Sequence, residues 1–238
     1  MILMLAALLP AIVLIAYIYK MDKVEKEPKR LLGQLFFLGA LGIVPAAFAE
    51  NILKKMLGIF AESDTFLYHL VFSFLIVALV EEFWKRAVVK GIAWRNPDFN
   101  YRFDAVVYAV TAAMGFAALE NLLYVVAGGW KLAVTRAITA VPSHAVDGVF
   151  MGYFLGEARL CEKRGDMQGM KRNMRRSFWV PVLCHGFYDF CLFRSTVLSL
   201  LLFVVFVVWV DVTAIRRIEK SSRQDLCLEA EEEPRIQV

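Results

Sequence analysis

The sequence predicts an all-α polytopic integral membrane protein with about seven transmembrane helices, its N-terminus outside and its C-terminus inside. The first observation is apolarity. The 238-residue chain is 59% hydrophobic with a mean hydropathy of +0.57, too apolar for a soluble domain. The second is spacing: apolar segments recur at roughly 2–19, 31–53, 66–84, 104–127, 132–156, 177–193 and 196–215. The third is the placement of Lys and Arg. Stretches 20–30, 85–102, 157–176 and everything from 216 onward hold 22 of the 27, whereas the intervening stretches hold 5. That alternation is complete, and basic loops face the cytoplasm.

The first segment is apolar from Ile2 with its charges after the run, which reads as a retained helix and not a cleaved leader. Pro10 and Pro45 fall within the first two segments, and Glu50-Asn51 is expected at an interface. The stretch 157–176, rich in Arg and Lys, is expected to lie on anionic lipid. Residues 1–218 form one helical domain, with a core region at about 66–195. A disordered acidic cytoplasmic tail is expected over 219–238, where Glu229-Ala230-Glu231-Glu232-Glu233-Pro234 stands. The formal charge of +4 does not point to nucleic acid, because the basic residues are grouped between apolar runs. Cys161, Cys184, Cys191 and Cys227 have no metal-knuckle spacing, and no disulfide is expected.

Four successive helices carry polar groups that an anchor does not need. The third holds Val80-Glu81-Glu82-Phe83-Trp84-Lys85-Arg86, with Glu81/Lys85 and Glu82/Arg86 at helical pairing distance. Adjacent residues project about 100° apart, so one carboxylate can face a cavity while the other orients a neighbour. The fourth holds Glu120 and Asn121, with Tyr124 one turn on. The fifth holds His144 and Asp147 after Pro142, and the sixth His185 and Asp189 after Pro181. At i,i+4 the Asp189 carboxylate can fix the tautomer of His185, and Asp147 at i,i+3 can do the same for His144. The prolines are expected to kink their helices and open polar space.

Each feature has a plainer reading. The Glu pair can be a helix end, Glu120-Asn121 an interhelical clamp, His185-Asp189 a structural pair, and Asp147 and Asp211 end-of-helix charges. An ionisable group in hydrocarbon is costly, at least ~2.5 kcal/mol for one Asp, Lys or Arg, and convergence on one shared wet cavity would satisfy all four helices together. Depth works against this. A third helix entering at Phe66 and a fourth entering from the other side at Asp104 put Glu81 and Glu120 at different heights unless boundaries slide, helices tilt or a kink intervenes.

In these motifs the chain resembles the PrsW family of bacterial membrane proteases, related to the CAAX-prenyl-protease and bacteriocin-processing superfamily. Glu81 to Arg86 satisfies both EExxK and EExxxR, and Phe116 to Glu120 occupies the second motif, with Glu120 where the superfamily often has a histidine. His144 fits the third motif, and His185 to Asp189 the last. The resemblance covers about residues 80–190. It implies a glutamic-type intramembrane endopeptidase of the bacterial cytoplasmic membrane. Its substrate would be a single-pass membrane protein, for PrsW an anti-sigma factor, cut at its extracytoplasmic side. Glu81, the first of the pair, would be the base and Glu82 its helper. His144 and His185 would help activate water and stabilise the oxyanion, Asp189 would orient His185, Asn121 would donate to the oxyanion, and Glu120 would complete the cavity.

No cofactor is expected on this reading. The nearest variant is a zinc protease, in which two histidines with Glu120 or Asp189 make a three-ligand site, although HExxH is absent. A proton-coupled transporter also needs buried acids and histidines, but its paired broken helices in matching halves are not evident. A non-catalytic scaffold for a partner's transmembrane helix is the third alternative.

Overall fold

The computed structural model describes residues 2–228. It is all-α, with α1 (Ile2–Met21), α2 (Lys29–Leu41), α3 (Ile43–Phe60), α4 (Phe66–Val71), a π-helical turn (Phe72–Ala78), α5 (Leu79–Ile92), α6 (Asp104–Ile138), α7 (Ala140–Lys163), α8 (Met167–Arg194) and α9 (Val197–Arg223). Since α2 runs on into α3, and α4 through the π turn into α5, six of the seven apolar segments fall on one helical rod each, while the fifth, 132–156, is divided between the last turns of α6 and α7. Four rods are long and apolar enough to cross a membrane: Lys29–Phe60, Phe66–Ile92, Asp104–Val126 and Val197–Arg223. Ala7–Met21 is a shorter apolar helix.

The bundle is built around α6, which packs on α1, α2, α5 and α7. Ala105, Val106, Val107, Tyr108, Ala109, Val110, Ala112, Ala113 and Met114 are all buried, so this helix meets protein on every side. Small residues permit that. On α7, Gly148, Gly152 and Gly156 recur every fourth position, and a Cβ on the first two would run into the backbone of α6 at Val110 and Ala105, and on the third into Arg102 just before α6. On α2, Gly39 meets Ala112, and Gly115 of α6 meets Phe36 in return. Within hydrocarbon, helices gain little from hiding apolar surface, so this close approach is a principal source of attraction. By contrast α9 presents Leu201, Val204, Val205, Val208 and Trp209 outward, an apolar face suited to lipid.

Three boundaries differ from the expected ones. The third rod continues past residue 84 to Ile92, because the charges that looked like a helix end are buried and paired with one another. Pro142 does not kink a helix: it sits in the first turn of α7, just past the break at Thr139, where a missing N–H has no partner to lose. Finally, the segment expected to be disordered from 219 is ordered through Leu228. Residues 219–223 complete α9, Tyr101 bridges Cys227, and Leu228 N donates to Asn100 O at 2.7 Å. The acidic run 229–234 lies outside the described residues.

The end of the bundle where α1 stops and α6 starts is rich in buried acids. Asp22, Glu27 and Asp104 are all but inaccessible. Burial pushes the Asp22 carboxyl up to about 6 and that of Glu27 up to about 7.

Candidate functional site

The π-helical turn ends at Ala78, three residues before Glu81. Its extra residue per turn shifts the phase of everything after it, which is why such turns gather at functional sites. Glu81 then lines a cavity of about 420 Å³ between α3, the π turn, α6, α7 and α8, shared with Glu50, Glu120, Arg136, His144, His185 and Asp189. Glu82 is turned about 100° away and is wholly buried behind it. One carboxylate is thus on the cavity wall and the other in the layer beneath.

Lys85 joins the two. Its ammonium donates to Glu82 Oε1 at 2.6 Å, Glu81 Oε2 at 3.2 Å and His144 Nδ1 at 2.9 Å. That uses all three of its protons. The ring of Phe116 lies 4.7 Å from the same nitrogen and closes the remaining side. Because an ammonium only donates, Nδ1 of His144 must accept, and Nε2 carries the proton that it donates to Glu120 Oε2 at 2.9 Å. Glu120 is also paired with Arg136, whose Nη2 lies 2.9 Å away. His185 stands between carboxylates: Nδ1 is 2.9 Å from Glu82 Oε1 and 3.9 Å from Asp147 Oδ2, while Nε2 is 3.5 Å from Asp189 Oδ2 and 3.9 Å from Glu81 Oε2. The two imidazoles meet edge to face, 5.3 Å between centroids.

The depth problem resolves through helix length and reach. Measured from the loop joining Ile92 to Asp104, Glu81 is ~16 Å up α5 and Glu120 ~24 Å up α6. The ring of His144 spans the difference, touching Lys85 with one nitrogen and Glu120 with the other.

Six of the seven residues singled out from the sequence therefore converge, and one does not. Asn121 turns away, donating to Ala7 O of α1 at 2.8 Å and accepting from Arg136 Nε at 3.0 Å. It holds α1 and the end of α6 in place. Two expected pairs also fail to form. Arg86 reaches Ser177 Oγ and Met174 O on α8 instead of Glu82. Asp147 faces His185 instead of His144. Sequence reasoning missed Arg136 and Glu50 as cavity residues. Nothing local signals Arg136, since its approach depends on Gly129, whose φ of 71° and ψ of −161° break α6 and fold its last turns back.

By donor type this set fits a divalent metal such as zinc. One ligand atom each from Glu81, Glu82, His144 and His185 lies within 4.8 Å of the others. In addition, Glu82 Oε2 and both carboxylate oxygens of Asp147 are buried with no hydrogen-bond partner among the described residues. Two imidazoles with carboxylates suit zinc. The Lys85 ammonium already meets three of those four residues, however, and answers the same charge.

The model of the family described as PrsW family intramembrane metalloprotease matches residues 27–213. The chain is 35% identical over 225 residues to Protease PrsW of Oceanobacillus iheyensis, covering 93% of this chain and 96% of that protein. It is 32% identical over 206 residues to Protease PrsW of Bacillus subtilis, covering 86% and 89%. With Protease PrsW of Halalkalibacterium halodurans the identity is 30% over 223 residues, covering 94% and 98%. No solved structure matches the chain.

Proposed function

Because the chain belongs to the PrsW family of intramembrane proteases, we propose that it is an endopeptidase whose reacting centre is the cluster of Glu81, Glu82, His144 and His185. The observation that carries this reading is their convergence from three separate rods, with Glu81 and both histidines on the wall of one cavity. Peptide hydrolysis needs a base for water, a donor for the oxyanion and an acid for the leaving amine. Glu81 is the base: it takes the proton as water attacks the scissile carbonyl, and returns it to the amine as the C–N bond breaks. Nε2 of His185, on the same wall 3.9 Å from Glu81, donates to the oxyanion. Glu82 and Asp189 hold that ring from opposite sides. Lys85 and His144 fix the carboxylates and relay to Glu120.

The substrate on this reading is a single-pass membrane protein, by resemblance an anti-sigma factor cut at its extracytoplasmic side, and the location is the bacterial cytoplasmic membrane. A helix entering the cavity has to unwind locally to expose a peptide bond, and the polar wall compensates its freed backbone groups.

A second reading is favoured by the donor set and by the family's description as metalloproteases. In it Glu82, His144 and His185 would hold zinc, which would supply Lewis-acid polarisation and a more acidic water. Glu81 keeps its role as proton carrier in both forms. The deciding experiment is cleavage of a single-pass membrane peptide by the purified chain in detergent, with and without exhaustive chelation. No cleavage of any single-pass peptide under conditions where the chain is folded would remove the peptidase reading.

A further inference from the structure

Far from the cavity, at the opposite end of α6, three carboxylates from three parts of the chain come together. They are Asp22 just past α1, Asp104 at the start of α6, and Asp225 just past α9, each with one oxygen within 4.8 Å of the others. Glu120 is ~24 Å further along α6, so this group is separate from the reacting centre. Asp104 and Asp225 are partly engaged. Oδ2 of Asp104 accepts from Asn100 N at 3.0 Å and Tyr101 N at 2.7 Å, and Oδ1 of Asp225 accepts from Phe103 N at 2.9 Å and Leu226 N at 3.0 Å. These bonds aim the remaining oxygens and do not neutralise the charge.

Asp22 is different. It is 1% exposed, and neither of its carboxylate oxygens has a hydrogen-bond partner among the described residues. Asp104 Oδ1 is likewise buried with no donor among the described residues, and the carboxyl group of Glu27 is in contact with that of Asp104. Lys26, which could have answered them, turns its ammonium to the backbone carbonyls of Tyr19 and Asp22. Arg102 is spent on Glu157 and Gln224 O. A fourth buried acid, Glu27, accepts the hydroxyl of Tyr108. A buried carboxylate without a partner either takes up a proton or gains a positive partner, and the convergence of three from separate parts of the chain favours the second.

We propose that Asp22, Asp104 and Asp225 form a site for one hard divalent cation, Mg²⁺ or Ca²⁺, which ties the segment after α9 to the base of α1 and α6. All-oxygen donors of this kind select such ions over softer metals. The chemistry is independent of the protease reading, and its donors include neither histidine nor cysteine. The site would staple together three stretches already in contact, where Tyr101 bridges Cys227 and Arg102 N donates to Leu226 O at 3.0 Å. Loss of the ion would free the end of the chain while leaving the cavity intact.

The test uses the full chain in nanodiscs, with Mn²⁺ as a paramagnetic probe whose free concentration is counted by electron paramagnetic resonance. Wild type should bind Mn²⁺ in a manner displaced by Mg²⁺ or Ca²⁺, and the ion preferred in competition identifies the natural occupant. Asp22→Asn and, separately, Asp225→Asn should weaken that binding about tenfold or more, since affinity follows the count of ligand charges. A His144→Ala/His185→Ala chain should retain it, which separates this site from any metal at the reacting centre. Mn²⁺ should also slow thiol labelling of the exposed Cys227 in wild type and not in Asp22→Asn. Asp225 lies beyond the last helix, so its variant reads the site even if Asp22→Asn does not fold. Absence of Mn²⁺ binding to wild type overturns the proposal. So does binding that both Asn variants keep, or binding that disappears only with the histidines.

Discussion

Arg136 Nη2 lies 2.9 Å from Glu120 Oε2, although both belong to α6 and would stand ~24 Å apart on a straight helix. The bend at Gly129 makes the pair possible, and its φ of 71° with ψ of −161° is a conformation that only glycine adopts freely. Gly129→Ala should therefore lower stability by about 1–3 kcal/mol and release Arg136 from Glu120. Thermal unfolding in detergent measures the first effect. Cleavage should fall too, though less than for loss of Glu81. An unchanged melting temperature and rate would mean the bend does not depend on this glycine.

Glu81→Gln keeps volume and hydrogen bonding but cannot carry a proton. Cleavage of a single-pass reporter should fall by about 10²–10⁴-fold, the usual contribution of a positioned base, while insertion and yield stay unchanged. Full activity in this variant would move the role of base to Glu82 or Glu120.

Removing Lys85 leaves Glu81 and Glu82 buried without the ammonium that meets both. Lys85→Met should destabilise by about 3–5 kcal/mol, more than the ion pair itself contributes, because the partner charges remain. Glu82→Gln/Lys85→Met should recover part of the loss. If the double variant is as unstable as the sum of the singles, the coupling between them is absent.

Activity is expected to survive exhaustive chelation, with elemental analysis finding no stoichiometric zinc, because the ammonium of Lys85 supplies positive charge where a metal would. His144→Ala should still be inactive through its lost hydrogen bonds to Lys85 and Glu120, and added metal should not rescue it. Activity killed by chelator and revived by zinc alone would make the histidines ligands.

Orientation follows from the uneven placement of Lys and Arg. In intact cells, cysteines introduced within 20–30, and Cys161 within 157–176, should be shielded from impermeant reagents. Labelling of Cys161 from outside would reverse the assignment.

The rods were legible because apolar runs of membrane length leave little choice of structure, and because four polar motifs within them needed a common cavity. What the sequence concealed lies in long-range geometry. Spacing says that Glu82 can meet either Lys85 or Arg86; only the position of α8 decides that Arg86 goes to Ser177 and Met174. In the same way His144 could choose Asp147 on its own helix or Glu120 across the bundle, and packing of α7 on α6 selects Glu120. Asn121 looked equivalent to Glu120, yet neighbouring residues on a helix face different ways, and it met α1 instead. The end of α5 was misjudged for a related reason, since Glu81, Glu82 and Lys85 neutralise one another and need no headgroups. The four-residue spacing of Gly148, Gly152 and Gly156 takes its meaning from the structure, where it marks the face of α7 that lies against α6.

That row of glycines also makes one wall of the cavity rigid. With backbone resting on backbone, α6 and α7 have no side-chain layer in which to slide, so Glu120 and His144 ride on a single stiff beam. The cavity's other walls are lined by side chains, Glu50 on α3 and His185, Tyr188 and Asp189 on α8. On the α8 side, His185 Nδ1 lies 2.9 Å from Glu82 Oε1, so that wall is tied to α5 by a buried bond whose loss would leave His185 free to turn away from the cluster.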